Sequence, residues 1–198
     1  FVGNSASHGG VVRVYGRTDD IEIGSVTAAG NSAAFGAALY FDTVTNLSRP
    51  VTVWNSVLSG NSASQSGDNI SLQEGGPYVV VSNTILDGGE DSIEQSTSGG
   101  TSMLFGSLVL DADPRFERPI GPGMGWRDAD YRLSRGSPAI DAGNTLAHSG
   151  SGPDLGGMPR VIDAIEYEDL GIGGQHNPAV IDMGCYEAPA DLLAGCPG

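Results

Sequence analysis

The sequence predicts an all-β fold, a right-handed parallel β-helix with a loop-rich C-terminal cap, and three observations carry that expectation. The first is a motif that recurs at nearly constant spacing: Gly3-Asn4-Ser5-Ala6, Gly30-Asn31-Ser32-Ala33 and Gly60-Asn61-Ser62-Ala63, with asparagine intervals of 27 and 30 residues. The second is an independent series at the same spacing. Val51-Thr52-Val53-Trp54-Asn55-Ser56-Val57-Leu58 aligns with Val79-Val80-Val81-Ser82-Asn83-Thr84-Ile85-Leu86 at an offset of 28, and Ile21-Glu22-Ile23 lies 30 residues before Val51. The third is composition. The 31 glycines among 198 residues are about twice the usual ~7%. Long helices tolerate so much glycine poorly, whereas a chain that turns every few residues uses it.

The elements follow in order. Each Asn-Ser-Ala motif precedes a short strand-like stretch: Gly10-Val11-Val12-Arg13-Val14-Tyr15, then Gly36-Ala37-Ala38-Leu39-Tyr40-Phe41, then Asp68-Asn69-Ile70-Ser71-Leu72. Gly106-Ser107-Leu108-Val109 reads as one more, degenerate copy of the second series. Apolar and polar residues alternate within these stretches, and Gly, Asn, Ser and Asp punctuate them. One such layer cannot bury its own apolar face, so it must stack on its neighbours, at the ordinary inter-strand spacing of about 4.8 Å. Columns such as Val53 over Val81 and Val57 over Ile85 are expected, with equivalent asparagines bonded along the turns. Phe1 aligns with Ala28 and Leu58, which predicts an N-terminally truncated stack whose apolar end meets upstream rungs of the same chain. A leucine-rich horseshoe lacks its dense 20–29-residue consensus here, and a propeller blade needs about 40 residues or more. The division expected is 1–116 for the β-helix rungs and 117–198 for the cap and pre-anchor region.

Charge and cysteine usage bound the partners. The formal net charge is −15, no lysine occurs, and nine arginines supply the basic residues. Such a chain repels a polyanion, which argues against nucleic acid. An acidic surface can attract divalent cations, but its ordinary role is solvation, and no metal ligand or cofactor-binding residue is assigned. No apolar run reaches the ~20 residues of a membrane span. Cys185 and Cys196 fit no zinc pattern. A local disulfide between them is expected after export, with two separate thiols as the alternative.

Two sets of residues resemble known bacterial proteins. Phe1-Val2-Gly3-Asn4-Ser5-Ala6 with Gly9-Gly10 resembles the repeats of polymorphic outer-membrane proteins, although later copies lack that Phe. Asp113-Pro114-Arg115-Phe116, then Asp130-Tyr131-Arg132-Leu133-Ser134-Arg135-Gly136-Ser137-Pro138-Ala139-Ile140-Asp141-Ala142-Gly143, Asp154-Leu155-Gly156-Gly157-Met158-Pro159-Arg160 and Ile181-Asp182-Met183-Gly184-Cys185-Tyr186-Glu187 form an ordered series. That series is similar to the C-terminal end of choice-of-anchor Q β-helix proteins, with Cys185 where a small residue is usual. The resemblance implies a secreted or cell-surface protein, at the bacterial outer membrane or outside the cell, and implies no common reaction.

Physically, the C-terminal block suits an end cap, because an open stack exposes unpaired strand edges. Leu133, Ile140, Leu155, Val161, Ile162 and Ile181 are expected to cover the last rung. Asp141, Asp154, Arg160, Asp182 and Glu187 are expected to bond its loops, with Arg160 paired to Asp154 or Asp182. Glycoside hydrolysis needs paired carboxylates on one face, and the candidates are Asp19, Asp20, Glu22, Asp42, Asp68, Asp87, Glu90, Asp91 and Glu94. Most sit in turn-like clusters, and the polygalacturonase motifs do not occur as a set. A lyase needs a base near calcium, but Arg13, Arg17 and Arg49 have no evident carboxylate set. His8, His148 and His176 lie beside no nucleophile. Gly88-Gly89-Glu90-Asp91 only faintly resembles a calcium-binding turn. No catalytic residue is assigned. The expected function is a non-catalytic, adhesin-like scaffold for display or contact with an extracellular glycan or another cell surface. Tyr15, Tyr40 and Trp54 are its candidate contact surfaces. The alternative is the C-terminal part of a polysaccharide lyase or glycoside hydrolase.

Overall fold

The computed structural model describes residues 1–16, 21–42, 50–73, 78–96, 102–121, 124–148, 150, 152–164, 167–174 and 179–190. The alternating stretches form strands: β1 (Val12–Tyr15), β2 (Ile21–Gly24), β3 (Thr27–Ala29), β4 (Ser32–Phe35), β5 (Leu39–Asp42), β6 (Val51–Ser59), β7 (Ser62–Ser66), β8 (Ile70–Leu72), β9 (Tyr78–Leu86), β10 (Ile93–Gln95), β11 (Ser102–Phe105), β12 (Val109–Leu110), β13 (Phe116–Arg118) and β14 (Asp130–Leu133). Helix is confined, among the described residues, to short 3-10 turns at Gly89–Ser92 and Trp126–Asp128. The chain is therefore all-β, and most of its pairing is parallel. One sheet runs β1-β5-β8-β10, another β11-β9-β6-β2 with β12 on β9 and β3 on β6, and a third joins β4 to β7. Among the described strands only β13 and β14 pair antiparallel.

Register follows the sequence spacing. Val12 pairs with Leu39 and Leu39 with Ile70; Ile21 pairs with Val51 and Val51 with Val79. The columns Val53–Val81 and Val57–Ile85 form as expected. Val2 bridges to Ala29, which sets Phe1 level with Ala28. The last segment is shorter. Met103 pairs with Val79, an offset of 24, and Val109 with Thr84, an offset of 25. The final copy thus spans β11 and β12, and Gly106–Leu108 is its bend rather than its strand.

Two turn positions recur. Gly3, Gly30 and Gly60 adopt φ of 65°, 62° and 61°, the left-handed region that glycine enters without a Cβ clash. The asparagine after each glycine joins a ladder. Asn4 donates its backbone N–H and its amide to Asn31 Oδ1, both at 2.9 Å. Asn31 repeats the pattern to Asn61 Oδ1 at 3.0 and 2.9 Å. Asn61 then donates to Asn69 Oδ1 at 2.8 Å, and Asn69 to the Asp87 carbonyl at 2.7 Å. The second turn bends the long strands at Asn55 (φ 47°) and Asn83 (φ 43°), level with Ser25 (φ 54°). Asparagine tolerates this conformation better than most residues.

The core collects one face of each parallel sheet. Val14, Ile23, Leu39, Phe41, Val53, Leu58, Ile70, Leu72 and Val81 belong to a single buried cluster. A second cluster unites Val57 and Ile85 with Leu133, Ile140, Ala142 and Met183. The C-terminal region therefore packs on the flank, against the second halves of β6 and β9. Leu108 and Leu110 of the last copy join the same cluster, so Leu133 and Ile140 do pack on that copy as the sequence suggested, but the contact also runs along the flank. Leu155 is 71% exposed, Val161 and Ile162 are half-buried, and Leu104 on β11 remains 49% exposed. The physical reason is polar. At the Asn55 bend the amide mimics a strand, accepting from Asn144 N at 2.7 Å and donating to Asn144 O at 3.0 Å. Asn83 donates to Ala142 O, Gly184 N to Asn55 O, and Cys185 N to Thr27 Oγ1.

Candidate functional site

On the outer face, the expected aromatic surfaces separate. Tyr15 is 69% exposed, whereas Tyr40 is buried and Trp54 half-buried. Trp54 lies level with Gly24, and its indole occupies the space a side chain there would fill. Arg13 sits between the Tyr15 and Tyr40 rings at 5.7 and 5.6 Å, within cation–π range. His8 stacks on Phe35 and meets the Tyr40 edge. Together these residues make a basic and aromatic patch along β1 and β5.

Among the described residues, several candidate carboxylates of the parallel segments serve turns or face a cation. Asp68 Oδ1 accepts from Ala63 N, and Asp87 Oδ2 accepts from Ser59 Oγ and Gly60 N. These are turn bonds. Asp42 faces Arg13 at 3.9 Å. Glu90 and Asp91 are exposed on the 3-10 turn, and Asp68, Asp91 and Glu94 border one groove of about 420 Å³. Asp19, Asp20, Arg17, Arg49, His176 and Cys196 lie outside the described residues, and so does the expected Cys185–Cys196 bridge.

The densest ionisable chemistry lies in the flanking region. Asp154, Arg160, Asp182 and Glu187 are buried and bond loops together, as the sequence predicts. Asp154 takes Met158 N and Glu187 N, at 2.7 and 2.8 Å. Asp182 takes Asp141 N and Ala188 N, at 2.7 and 2.6 Å. Glu187 takes Asp182 N. The arginine's partner differs from the expectation: Arg160 pairs with Glu187 at 2.9 Å and donates to Gly184 O at 2.6 Å. It reaches only the backbone carbonyl of Asp182, at 3.4 Å. Each Asp182 oxygen accepts its own short backbone N–H, whereas Glu187 shares a single N–H between its two oxygens at 3.2 Å, which leaves it the freer acceptor for the guanidinium. Burial raises the Asp182 and Glu187 carboxyls, and Arg160 opposes that rise at each.

Asp141 departs from this pattern. Its backbone does the bonding, donating to Asp182 and accepting from Leu170 N and Gly171 N at 2.9 and 3.0 Å. Its side chain is fully buried, and neither carboxylate oxygen has a hydrogen-bond partner. Asp163 and Asp169 stand beside it, with one oxygen from each of the three carboxylates within 4.8 Å of the others. Burial, then Asp169 and Asp163, raise the Asp141 carboxyl to about 7; the Ala164 N–H points toward it and lowers it, but does not reach hydrogen-bond geometry with either oxygen. Three oxygens so arranged can surround a hard cation. The loops meet because Asn144 bridges to Ile172 and Gly143 exchanges bonds with Ile172 and Ile181. Gly171 is required there, since a Cβ would lie 1.9 Å from the Gly143 carbonyl. Sequence reasoning missed Asp163 and Asp169. The one available signal was the density of acids in Asp163-Ala164-Ile165-Glu166-Tyr167-Glu168-Asp169.

In comparisons with known proteins, no family model, no curated protein and no solved structure matches the chain. What fold and site define is a class: an all-β chain of parallel sheets carrying a buried carboxylate network on its flank. No helix among the described residues is long and apolar enough to cross a membrane.

Proposed function

We propose that the parallel sheets are walls of a right-handed parallel β-helix, and that the chain is a non-catalytic display scaffold at the cell exterior. One observation carries this reading: the recurrent polar residues are consumed by stacking. Asn31, Asn61 and Asn69 are buried and bond to one another and to backbone, so the repetition serves the scaffold rather than a reaction. The resemblance to choice-of-anchor Q proteins supports a secreted or outer-surface location.

A parallel face repeats its side chains every ~4.8 Å, which suits weak multivalent contact with an extended polymer. The Tyr15, Arg13 and His8 patch is the contact surface of this reading. Net charge of −15 disfavours acidic polymers, so a neutral glycan fits best. The test is a panel of neutral and acidic polysaccharides assayed for binding and for product release. Binding of a neutral glycan that Tyr15→Ala weakens at least fivefold, without product release, is the expected result. Turnover abolished by Asp42→Asn or Asp68→Asn overturns it and makes the chain part of a polysaccharide-degrading enzyme.

A further inference from the structure

We propose that Asp141, Asp163 and Asp169 form a calcium site that joins the loops of the flanking region. Calcium binds oxygens at about 2.3–2.6 Å, so two ligands on opposite sides of one ion stand about 4.8 Å apart. The three carboxylate oxygens fall within that span of one another. One ion can therefore touch all three.

The independent observation is Asp141 itself. A fully buried carboxylate whose two oxygens have no hydrogen-bond partner is an arrangement that folded proteins avoid unless a cation balances it. Its backbone is meanwhile held firmly, by Asp182 on one side and Leu170 and Gly171 on the other. The side chain is buried from solvent, with an oxygen within 4.8 Å of Asp163 and Asp169. Charge in the surroundings points the same way. Asp154, Asp182 and Glu187 are buried in the adjoining network, and the one buried arginine described there, Arg160, is engaged with Glu187. Negative charge is in excess where the site lies.

The donor set selects the ion. All three ligands are carboxylates, with no imidazole or thiolate, which favours a hard cation over zinc or copper. Asp163 and Asp169 are exposed, so water completes the shell on one side. Calcium accepts six to eight oxygens in irregular geometry, whereas magnesium demands a near-ideal octahedron. Two aspartates on loops and one from a buried turn suit calcium. The consequence is mechanical: the ion ties Asp163 and Asp169 to the segment that bonds Asn55 and Asn83. It stands apart from the glycan-contact reading.

The experiment uses the full chain, stripped of cations with a chelator and titrated with calcium chloride in 150 mM sodium chloride. Calorimetry is expected to give one site per chain with Kd of about 10⁻⁴–10⁻³ M, the range of extracellular modules. The unfolding midpoint is expected to rise by roughly 3–6 °C at free calcium about ten times Kd. Asp163→Asn and Asp169→Asn, at exposed positions, should each weaken binding at least tenfold with an unchanged circular dichroism spectrum. Asp141→Asn should lose the calcium response yet unfold no lower than the parent without calcium, since it removes an unbalanced buried charge. Glu90→Gln, on the distant 3-10 turn, should bind as the parent does. Three results overturn the proposal: no saturable binding, undiminished binding by the Asp163→Asn/Asp169→Asn double variant, or magnesium binding as tight as calcium. Glycan binding enters none of these readouts, so its failure and the failure of this site are separable.

Discussion

Replacing Asn61 by Ala removes the centre of the asparagine ladder and tests whether stacking, rather than local turn chemistry, explains the recurrent motif. Asn61 Oδ1 accepts from Asn31 N and Asn31 Nδ2, and its own amide donates to Asn69 Oδ1 and Ala28 O. With alanine there, the Asn31 N–H and Asn69 Oδ1 lose those partners, and both residues are 1% exposed. Asn31 Nδ2 keeps the Phe1 carbonyl at 3.2 Å. A buried polar group left unsatisfied costs about 1–3 kcal/mol, so two such groups set the loss at about 2–6 kcal/mol. Asn4→Ala is the control. Asn4 is exposed, and without its amide Asn31 Oδ1 still accepts the backbone N–H of residue 4 at 2.9 Å. Its cost should stay below about 1 kcal/mol. Equilibrium unfolding in urea measures both, with equal m values as the check that only stability changed. If Asn61→Ala costs no more than Asn4→Ala, the ladder does not hold the segments together and the stacking argument is wrong.

Three further perturbations probe the flank. Ile85→Ala, in the cluster shared by β9 and the C-terminal region, should destabilise by about 2–5 kcal/mol in the same denaturation assay. Asn55→Gly keeps the left-handed backbone but loses both bonds to Asn144; limited proteolysis within residues 141–188 should accelerate several-fold while the parallel sheets stay protected. Arg160→Met leaves Glu187 buried without its cation, a loss of about 3–5 kcal/mol. Adding Glu187→Gln to it should recover part of that loss by removing the uncompensated charge.

The parallel segments were legible because stacking demands the same residue type at a fixed interval, so Asn4, Asn31 and Asn61, or Val53 and Val81, announce their contacts by spacing alone. The last copy was misplaced for the same reason. Its interval shortens to 24 residues at Met103, and an alignment built on 28 slips onto the bend at Gly106–Leu108. The carboxylate cluster was not legible. Asp141, Asp163 and Asp169 share no period, and Asp169 is brought to Asp141 by long-range backbone bonds from Leu170 and Gly171 and the Asn144–Ile172 bridge. The pairing of Arg160 was similarly out of reach. Asp154, Asp182 and Glu187 are each engaged by backbone N–H groups, and which of them also takes the guanidinium depends on how many short bonds each already accepts.

The flank position of the C-terminal region follows from the same accounting of backbone and amide bonds. A bend in a long parallel strand takes a residue out of the ladder, and at Asn55 and Asn83 it turns a side-chain amide outward. Both residues are nonetheless buried, at 0% and 1% exposure, and a buried amide must find partners. Asn144 backbone groups satisfy both ends of the Asn55 amide and the Ala142 carbonyl takes the Asn83 NH2, while Asn83 Oδ1 stays without a partner; Val57 and Ile85 supply the apolar surface on which Ile140 and Met183 rest. The stacked asparagines that bend the sheet thus also choose where the C-terminal region lands. That choice brings Asp141 inward with its backbone satisfied and its carboxylate unbonded, beside the two aspartates of the next loop. A sheet bend, a docking surface and a cation-binding geometry therefore share one structural cause, and a change at Asn55 should propagate to all three.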